Sequence, residues 1–436
     1  MEILVRVAQL LLSLSILVLL HEFGHFFFAK LFKTRVEKFY LFFNPWFELF
    51  KIKKGETEYG VGWLPLGGYV KISGMIDESM DKEQMKQPAQ PWEFRSKPSW
   101  QRLLIMIGGV LVNFLLALFI YIAVLYTWGE EYIANKDAKY GIQADSLAQR
   151  IGFRNGDKII SLDGKPLENV ATLQADIIFN EVKNVKVERN GQQVDVPIAS
   201  KFVPEILNAK GMFAPRVVYK VGDVAKDMPA KAAGVQVGDV FISADTTKMT
   251  FVDEFRSYFQ AHKEKVVAVT LLRGKDTVKI NVKPNGDGLI GTMLDFDQFK
   301  ISKIEYGFWE SIPAGISHGI DKGANYLKQL KLIFSPETKA YESLGGFIAI
   351  GKIFPGTWDW YAFWNMTAFL SIILAIMNIL PIPALDGGHV MFLLYEMVTR
   401  RKPSEKFMEY AQIVGMVILF SLLIYANGND IVKLFR

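Results

Sequence analysis

Two histidines and a glutamate stand together in His21-Glu22-Phe23-Gly24-His25. On a helix, residues four apart share a face, so both imidazoles can point at one cation. Two ring nitrogens and a carboxylate suit Zn2+ and leave a fourth position for water. Glu22 stands beside them, placed to take a proton from that water while the cation polarises a scissile carbonyl. The bland alternative is a polar patch facing a neighbouring helix. It is disfavoured because the chain has only five histidines and two of them bracket a glutamate at ligand spacing. The cluster also closes an apolar stretch, where ionisable groups are expensive and usually functional.

A third donor has to come from another segment. The run Asn378-Ile379-Leu380-Pro381-Ile382-Pro383-Ala384-Leu385-Asp386-Gly387-Gly388-His389 ends a second apolar stretch. Pro381 and Pro383 cannot continue a regular helix. Non-helical backbone at membrane depth survives only when buried in protein or lining a wet cavity. An unwound segment would let Asp386 turn toward the ion. The alternative for Asp386-Gly387 is a plain turn, and His389 is a rival ligand or a packing residue. His262 and His318 read as ordinary surface or packing residues.

These motifs need spans to hold them. Half of the 436 residues are hydrophobic, mean hydropathy is +0.18, and the apolar residues collect in four blocks. They run from Val7 to Phe28, Leu103 to Trp128, Trp360 to Leu385 and Tyr410 to Asn427. A helix needs about 20 apolar residues to cross the hydrocarbon core, so all four are candidate spans. The first could instead be a cleaved signal peptide, but it ends in His-Glu followed by three phenylalanines, not in a small-x-small site.

Charge sets the orientation. Lys30, Lys33, Arg35, Lys38, Lys97 and Arg102 flank the loop after block one, and Arg400, Arg401, Lys402 and Lys406 follow block three. Both loops are therefore expected in the cytoplasm, with residues 130–350 and both termini outside. Blocks one and three then run the same way, and their motifs meet in the cytoplasmic half of the bilayer. The net charge of +5 is modest and no basic cluster is interleaved with aromatics, which disfavours nucleic acid as a partner. With no cysteine, disulfides, thiolate ligands and a cysteine nucleophile are excluded.

Two stretches outside the blocks echo each other. Ile151-Gly152-Phe153-Arg154-Asn155-Gly156-Asp157 and Ala233-Gly234-Val235-Gln236-Val237-Gly238-Asp239 each precede a β-rich run. A repeat of this size predicts two copies of one small domain. In the second copy Asp245-Thr246-Thr247-Lys248 replaces the Asp163-Gly164-Lys165 turn, which puts peptide-end binding by that copy in question. Residues 307–334 have the spacing of an amphipathic helix, lying on the outer membrane face or packed against the domain pair.

On HEFGH, NILPIPALDGG and the insert between blocks two and three, the chain resembles the site-2 protease family of intramembrane zinc metalloproteases, over nearly its whole length. The resemblance implies one Zn2+ held by His21, His25 and Asp386, with Glu22 as catalytic base. Gly108-Gly109-Val110-Leu111-Val112-Asn113 is similar to the family's GxxxN element. It implies packing at Gly109, and either packing or a hold on substrate or oxyanion at Asn113. Asn378 is similar to an asparagine that contacts the substrate backbone, and the freed carbonyls near Pro381 and Pro383 would add partners. The segment Tyr59–Ile72 alternates about a Pro-Leu-Gly-Gly turn, which predicts a hairpin. In the family a comparable hairpin, here at Gly67 and Gly68, dips toward the active site and pairs with extended substrate. The alternative is a hairpin with no substrate role. The repeated domains resemble tandem PDZ domains, which bind peptide ends or act as a size filter.

The expected architecture is a multi-pass α-helical membrane protein with four transmembrane helices, tandem extracytoplasmic PDZ-like α/β domains and a small membrane-associated cytoplasmic β-hairpin. The expected divisions are a first transmembrane helix with HExxH at 1–30, a cytoplasmic loop at 31–102 and a second helix at 103–128. PDZ-like domains at 129–205 and 206–300 follow, then a juxtamembrane segment at 301–358. A third helix with NxxPxPxLDGG at 359–397, a loop at 398–407 and a fourth helix with its tail at 408–436 complete the chain. The implied setting is a bacterial inner membrane. The implied substrates are single-pass membrane proteins such as anti-sigma factors, already trimmed by a site-1 protease, and remnant signal peptides. A PDZ-bearing membrane scaffold with a vestigial metal site is the alternative, disfavoured by the intact Glu22. A zinc transporter would spread its ligands across the bilayer, whereas these gather at one depth.

Overall fold

The computed structural model describes residues 1–65, 67–75, 87–209, 211–298, 300–333 and 344–435. They form two units: residues 1–129 together with the chain from 305 onward, and residues 130–304.

The first unit is built on helices α1 (Glu2–Leu31) and α2 (Ser99–Trp128). It continues with α3 (Phe308–Ile333), α4 (Phe347–Ile353), α5 (Trp360–Ile379), α6 (Asp386–Thr399) and α7 (Glu405–Leu434). Among the described residues, α1, α2, α5 and α7 are long and apolar enough to cross a membrane. The third apolar block is not one helix. It stops at Ile379 and restarts at Asp386, because Pro381 and Pro383 lack the N–H groups a continuing helix needs. The twenty residues of α5 still reach about 30 Å, one hydrocarbon thickness.

Small residues set the helix contacts, as expected where lipid tails remove the hydrophobic drive between helices. Gly24 on α1 and Gly108 on α2 face each other so closely that a Cβ on either would strike the other's backbone. Gly315 and Gly319 of α3 likewise admit Ile122 and Leu118 of α2. Helix α3 thus packs on a spanning helix through a glycine stripe. Between α1 and α5, Thr367 Oγ1 donates to Ser13 Oγ at 3.0 Å. Between α5 and α2, Ser371 Oγ donates to the Asn113 carbonyl at 2.7 Å.

After α1 comes a four-stranded sheet: β1 (Val36–Leu41), β2 (Phe43–Lys54), β3 (Thr57–Leu64) and β4 (Tyr69–Ile72). Its order is β2-β3-β1-β4. The expected hairpin within Tyr59–Ile72 does not form, because β1 lies between β3 and β4, parallel to the first and antiparallel to the second. Tyr40 shows why. It is paired with Gly60 on one side and Tyr69 on the other. Its ring occupies the space a side chain at Gly60 would need and stacks on Tyr69 at 5.2 Å. β3 and β4 are therefore not joined as a hairpin; Leu66, between them, lies outside the described residues.

The second unit carries the repeat. Strands Gln192–Pro197, Asn184–Arg189, Lys158–Leu162 and Lys165–Pro166 form one sheet in that order. Strands Asp276–Val282, Val267–Arg273, Val240–Ala244 and Thr247–Lys248 form the other, in the same order. Each copy is pinned by the same ion pair on a buried aspartate. Arg189 grips Asp157 through Nε and Nη2 and donates to the Gly152 carbonyl. Arg273 does so to Asp239 and Gly234. The altered turn of the second copy keeps the conformation of its first residue but not of its second: Gly164 has φ 83°, whereas Thr246 does not have a positive φ. Asp163 and Asp245 share a left-handed backbone, with φ 47° and 51°. Each carboxylate accepts from the backbone of the next strand, at Lys183 and Asn184 in one copy and at Ala268 in the other.

One buried ion pair secures the first unit near the site. Arg102, at the start of α2, pairs with Glu396 near the end of α6 and donates through Nε to the Lys97 carbonyl at 3.0 Å. Both side chains are about nine-tenths buried. Arg102→Met strands the carboxylate and should cost about 3–5 kcal/mol of stability in detergent-solubilised protein, whereas Arg102→Met with Glu396→Leu should restore most of it. Equal losses in the single and double variants, read by chemical denaturation, would refute the pairing as the cause.

Candidate active site

His21 and His25 lie one turn apart on α1, both buried. Their Nε2 atoms are 3.3 Å apart. The Oδ2 atom of Asp386 lies 3.2 Å from the first and 3.3 Å from the second. Three donors bound at about 2.0–2.1 Å around one tetrahedral ion would lie roughly 3.3 Å from each other. Oδ2 is fully buried and makes no hydrogen bond, which is costly for a carboxylate unless a cation neutralises it. Two imidazoles and a carboxylate are also the donor set that Zn2+ accepts, so these residues fit the ion. Among the described residues, no other group of three metal-binding side chains comes together. His389 lies on the wall of the adjoining cavity but outside the triad.

The second ring nitrogens are held in turn. His25 Nδ1 lies 2.8 Å from the Ile105 carbonyl; it donates there, which leaves the Nε2 lone pair facing Asp386. His21 Nδ1 lies 3.3 Å from the Asn113 carboxamide. If His21 Nε2 is to bind a cation, its proton sits on Nδ1 and the neighbour must accept it. With its oxygen toward Nδ1, Asn113 does so. Turned the other way, Oδ1 is buried without a partner, so the first orientation is the chemically consistent one.

The chain break that brings in Asp386 is tightly constrained. A Cβ at Gly387 would strike the Ile379 and Leu380 carbonyls, and one at Gly388 would strike Pro383. These two glycines let the first turn of α6 fold back over the end of α5. Ala384 sits at φ 85°, a conformation a residue with a Cβ holds only when its surroundings impose it.

A cavity of about 660 Å3 opens beside the triad. Glu22, Asn378, Gly67, Gly68 and all four residues of β4 lie on its wall. Asn378 Nδ2 is 3.3 Å from His21 Nε2. At Gly68 a Cβ would meet Val18 at 2.8 Å and Glu22 at 3.1 Å, so only a glycine lets the β3–β4 crossing rest on α1 at the glutamate. Three expected substrate contacts lie elsewhere. Asn113 is fully buried behind His21, while Pro381 and Pro383 are off the wall and shape the break. The backbone of Pro383 instead packs against Gly415 of α7. Gln412 is on the wall and was not singled out from the sequence. Its signal is one carboxamide between Tyr410 and Phe420 in an otherwise apolar run.

Gly109 has a sharper role than general packing. A Cβ there would lie 2.5 Å from His25 Nε2 and 2.6 Å from His21 Cε1. Gly109→Ala should therefore displace the imidazoles and weaken zinc binding at least about tenfold, with helix content unchanged. Metal analysis alongside circular dichroism checks this; full zinc content in the folded variant would contradict it.

Comparison with known proteins agrees with this geometry. A family described as peptidase family M50 matches residues 9–422. A regulator of sigma E protease from Haemophilus influenzae is 27% identical, with 100% of both chains covered. Two proteins named as candidate zinc metalloproteases are 28% identical over 97% of both chains, from Clostridium perfringens, and 27% identical over 98% of both, from Rickettsia conorii. The protein is a membrane-embedded zinc metalloprotease, and the chain belongs to peptidase family M50, the site-2 proteases.

Proposed function

We propose that His21, His25 and Asp386 hold the zinc ion, that Glu22 is the catalytic base, and that the cavity beside them receives an unwound transmembrane segment. The observation that carries this reading is the triangle of donors 3.2–3.3 Å apart around an otherwise unpartnered Asp386 oxygen. When bound, the ion lowers the pKa of a water to about 7 and polarises the scissile carbonyl. Glu22 takes the proton from the attacking water and passes it to the leaving amine nitrogen. Asn378 offers its carboxamide to the substrate carbonyl beside the triad. The outer edge of β4 pairs with the extended chain, and Gly67 and Gly68 let that edge reach the glutamate.

The substrates are single-pass membrane proteins, such as anti-sigma factors already trimmed by a site-1 protease, and remnant signal peptides. This is regulated intramembrane proteolysis. The membrane is the bacterial inner membrane, with the loop after α1 and the loop after α6 in the cytoplasm and both termini outside. The repeated units at 129–205 and 206–300 are extracytoplasmic PDZ-like domains that bind peptide ends or exclude bulky substrates. Their common sheet order and matching Asp–Arg pairs support a shared origin.

The test is to co-express a truncated single-pass protein with the wild type and with Glu22→Gln. Processing should fall by a factor of about 10^2–10^4 in the variant with zinc content unchanged. Equal processing by both would defeat the assignment.

A further inference from the structure

Gln412 lies on α7, on the wall of the same cavity as the triad. It is 4% exposed, and its side chain lines the cavity without a hydrogen-bond partner among the described residues. Two other buried polar side chains on these helices are tied to main chain. Gln9 donates to the Pro355 carbonyl at 2.9 Å, and Asp430 accepts from the Gly346 and Ala349 amides, each at 2.9 Å. An amide on an apolar span that opens to a cavity without a protein partner is available to whatever occupies that cavity.

Its position is set by Gly415, three residues further along and so on the same face of α7. The missing side chain at Gly415 lets α7 lie directly on the Pro383 carbonyl. That contact turns Gln412 toward the segment that delivers Asp386. The same cavity is lined by β4, whose outer edge has no strand beside it among the described residues. An extended substrate has hydrogen-bonding groups along both of its edges. If β4 takes one edge, the groups on the other still need partners, because lipid offers none. A carboxamide carries both a donor and an acceptor, the complement of a peptide group.

We propose that Gln412 is a substrate-binding residue of this protease, its carboxamide pairing with a main-chain peptide group on the substrate edge turned away from β4. The inference rests on the reading of the cavity as the active site. It adds a second wall to the cleft, so that the unwound chain is held from both sides. The contact is to backbone, so it adds hold without choosing among side chains.

The probe is a tagged single-pass test protein with a leucine–alanine transmembrane segment weakened by a central asparagine–proline pair. It is accepted as a probe only if the wild type cleaves it and Glu22→Gln does not, which separates failure of the active-site reading from failure of this one. With purified full-length chain, Gln412→Ala should lower kcat/KM roughly three- to tenfold, mainly through KM, with zinc content unchanged. The chain has no cysteine, so Gln412→Cys in the Glu22→Gln background provides a single thiol. It should form disulfides with cysteines placed at every second position near the cleavage point, whereas Val414→Cys, on an exposed face, should form none. Wild-type kinetics for Gln412→Ala, loss of zinc from it, or no preferential capture by Gln412→Cys would each overturn the proposal.

Discussion

Three donor atoms, each within about van der Waals contact of the other two and screened from water, repel one another unless a cation sits among them. Much of the membrane unit can be understood from that requirement. A single regular helix brings two of the donors together one turn apart. The third must arrive from a chain that has stopped being helical, since an uninterrupted α5 would carry Asp386 well past the level of the histidines. The proline pair breaks the helix, the paired glycines fold the next turn back, and Ala384 bears the conformational strain. On the opposite side, α2 must come close enough for its own backbone and Asn113 to hold the far nitrogens of both rings. Gly108 and Gly109 allow that approach.

Local chemistry is legible in the sequence; distant pairing is not. The His-x-x-x-His spacing and the Pro-x-Pro break carry their geometry within a dozen residues, so the triad could be anticipated with its residue numbers. Apolar blocks likewise announced the spans, although the helices run past them because the flanking polar residues also tolerate helical geometry. The strand order was different. Alternation in Tyr59–Ile72 correctly marked two strands, but it carries no information on which neighbour each one pairs with. That was decided by Tyr40, some twenty residues earlier, fitting over Gly60. Gln412 belongs to no motif, and its place follows from a helix contact at Gly415 that only the fold creates. In the second repeated domain the altered turn kept part of the arrangement: Asp245 supplies a left-handed residue and a backbone bond as Asp163 does in the first, while Thr246 does not take the left-handed conformation of Gly164.

The sheet after α1 gives the cavity a wall of a different kind from the helices. A helix has already satisfied its own main chain and offers a substrate only side chains. The outer strand of a sheet offers unpaired amides and carbonyls, which otherwise invite aggregation. Here that edge faces the cavity that holds the glutamate, so a common liability of β structure is turned inward. The short span of β4 limits how much extended chain it can align.

The ion pair between Arg102 and Glu396 has a mechanical consequence. Sliding α6 along α2 would strand a guanidinium and a carboxylate in a poorly hydrated place, an outlay of several kcal/mol. Together with the ligand triangle and the glycine contact, it welds α1, α2 and α6 into one rigid block. By contrast, α7 meets α6 through the rings of Phe407 and Phe392, rests on the α5–α6 break at Gly415 and is tethered near its far end through Asn427, Asn429 and Asp430; most of its length faces outward. None of these contacts involves a metal ligand, so displacing α7 would cost the Phe392–Phe407 and Gly415 contacts and leave the ligand triangle in place.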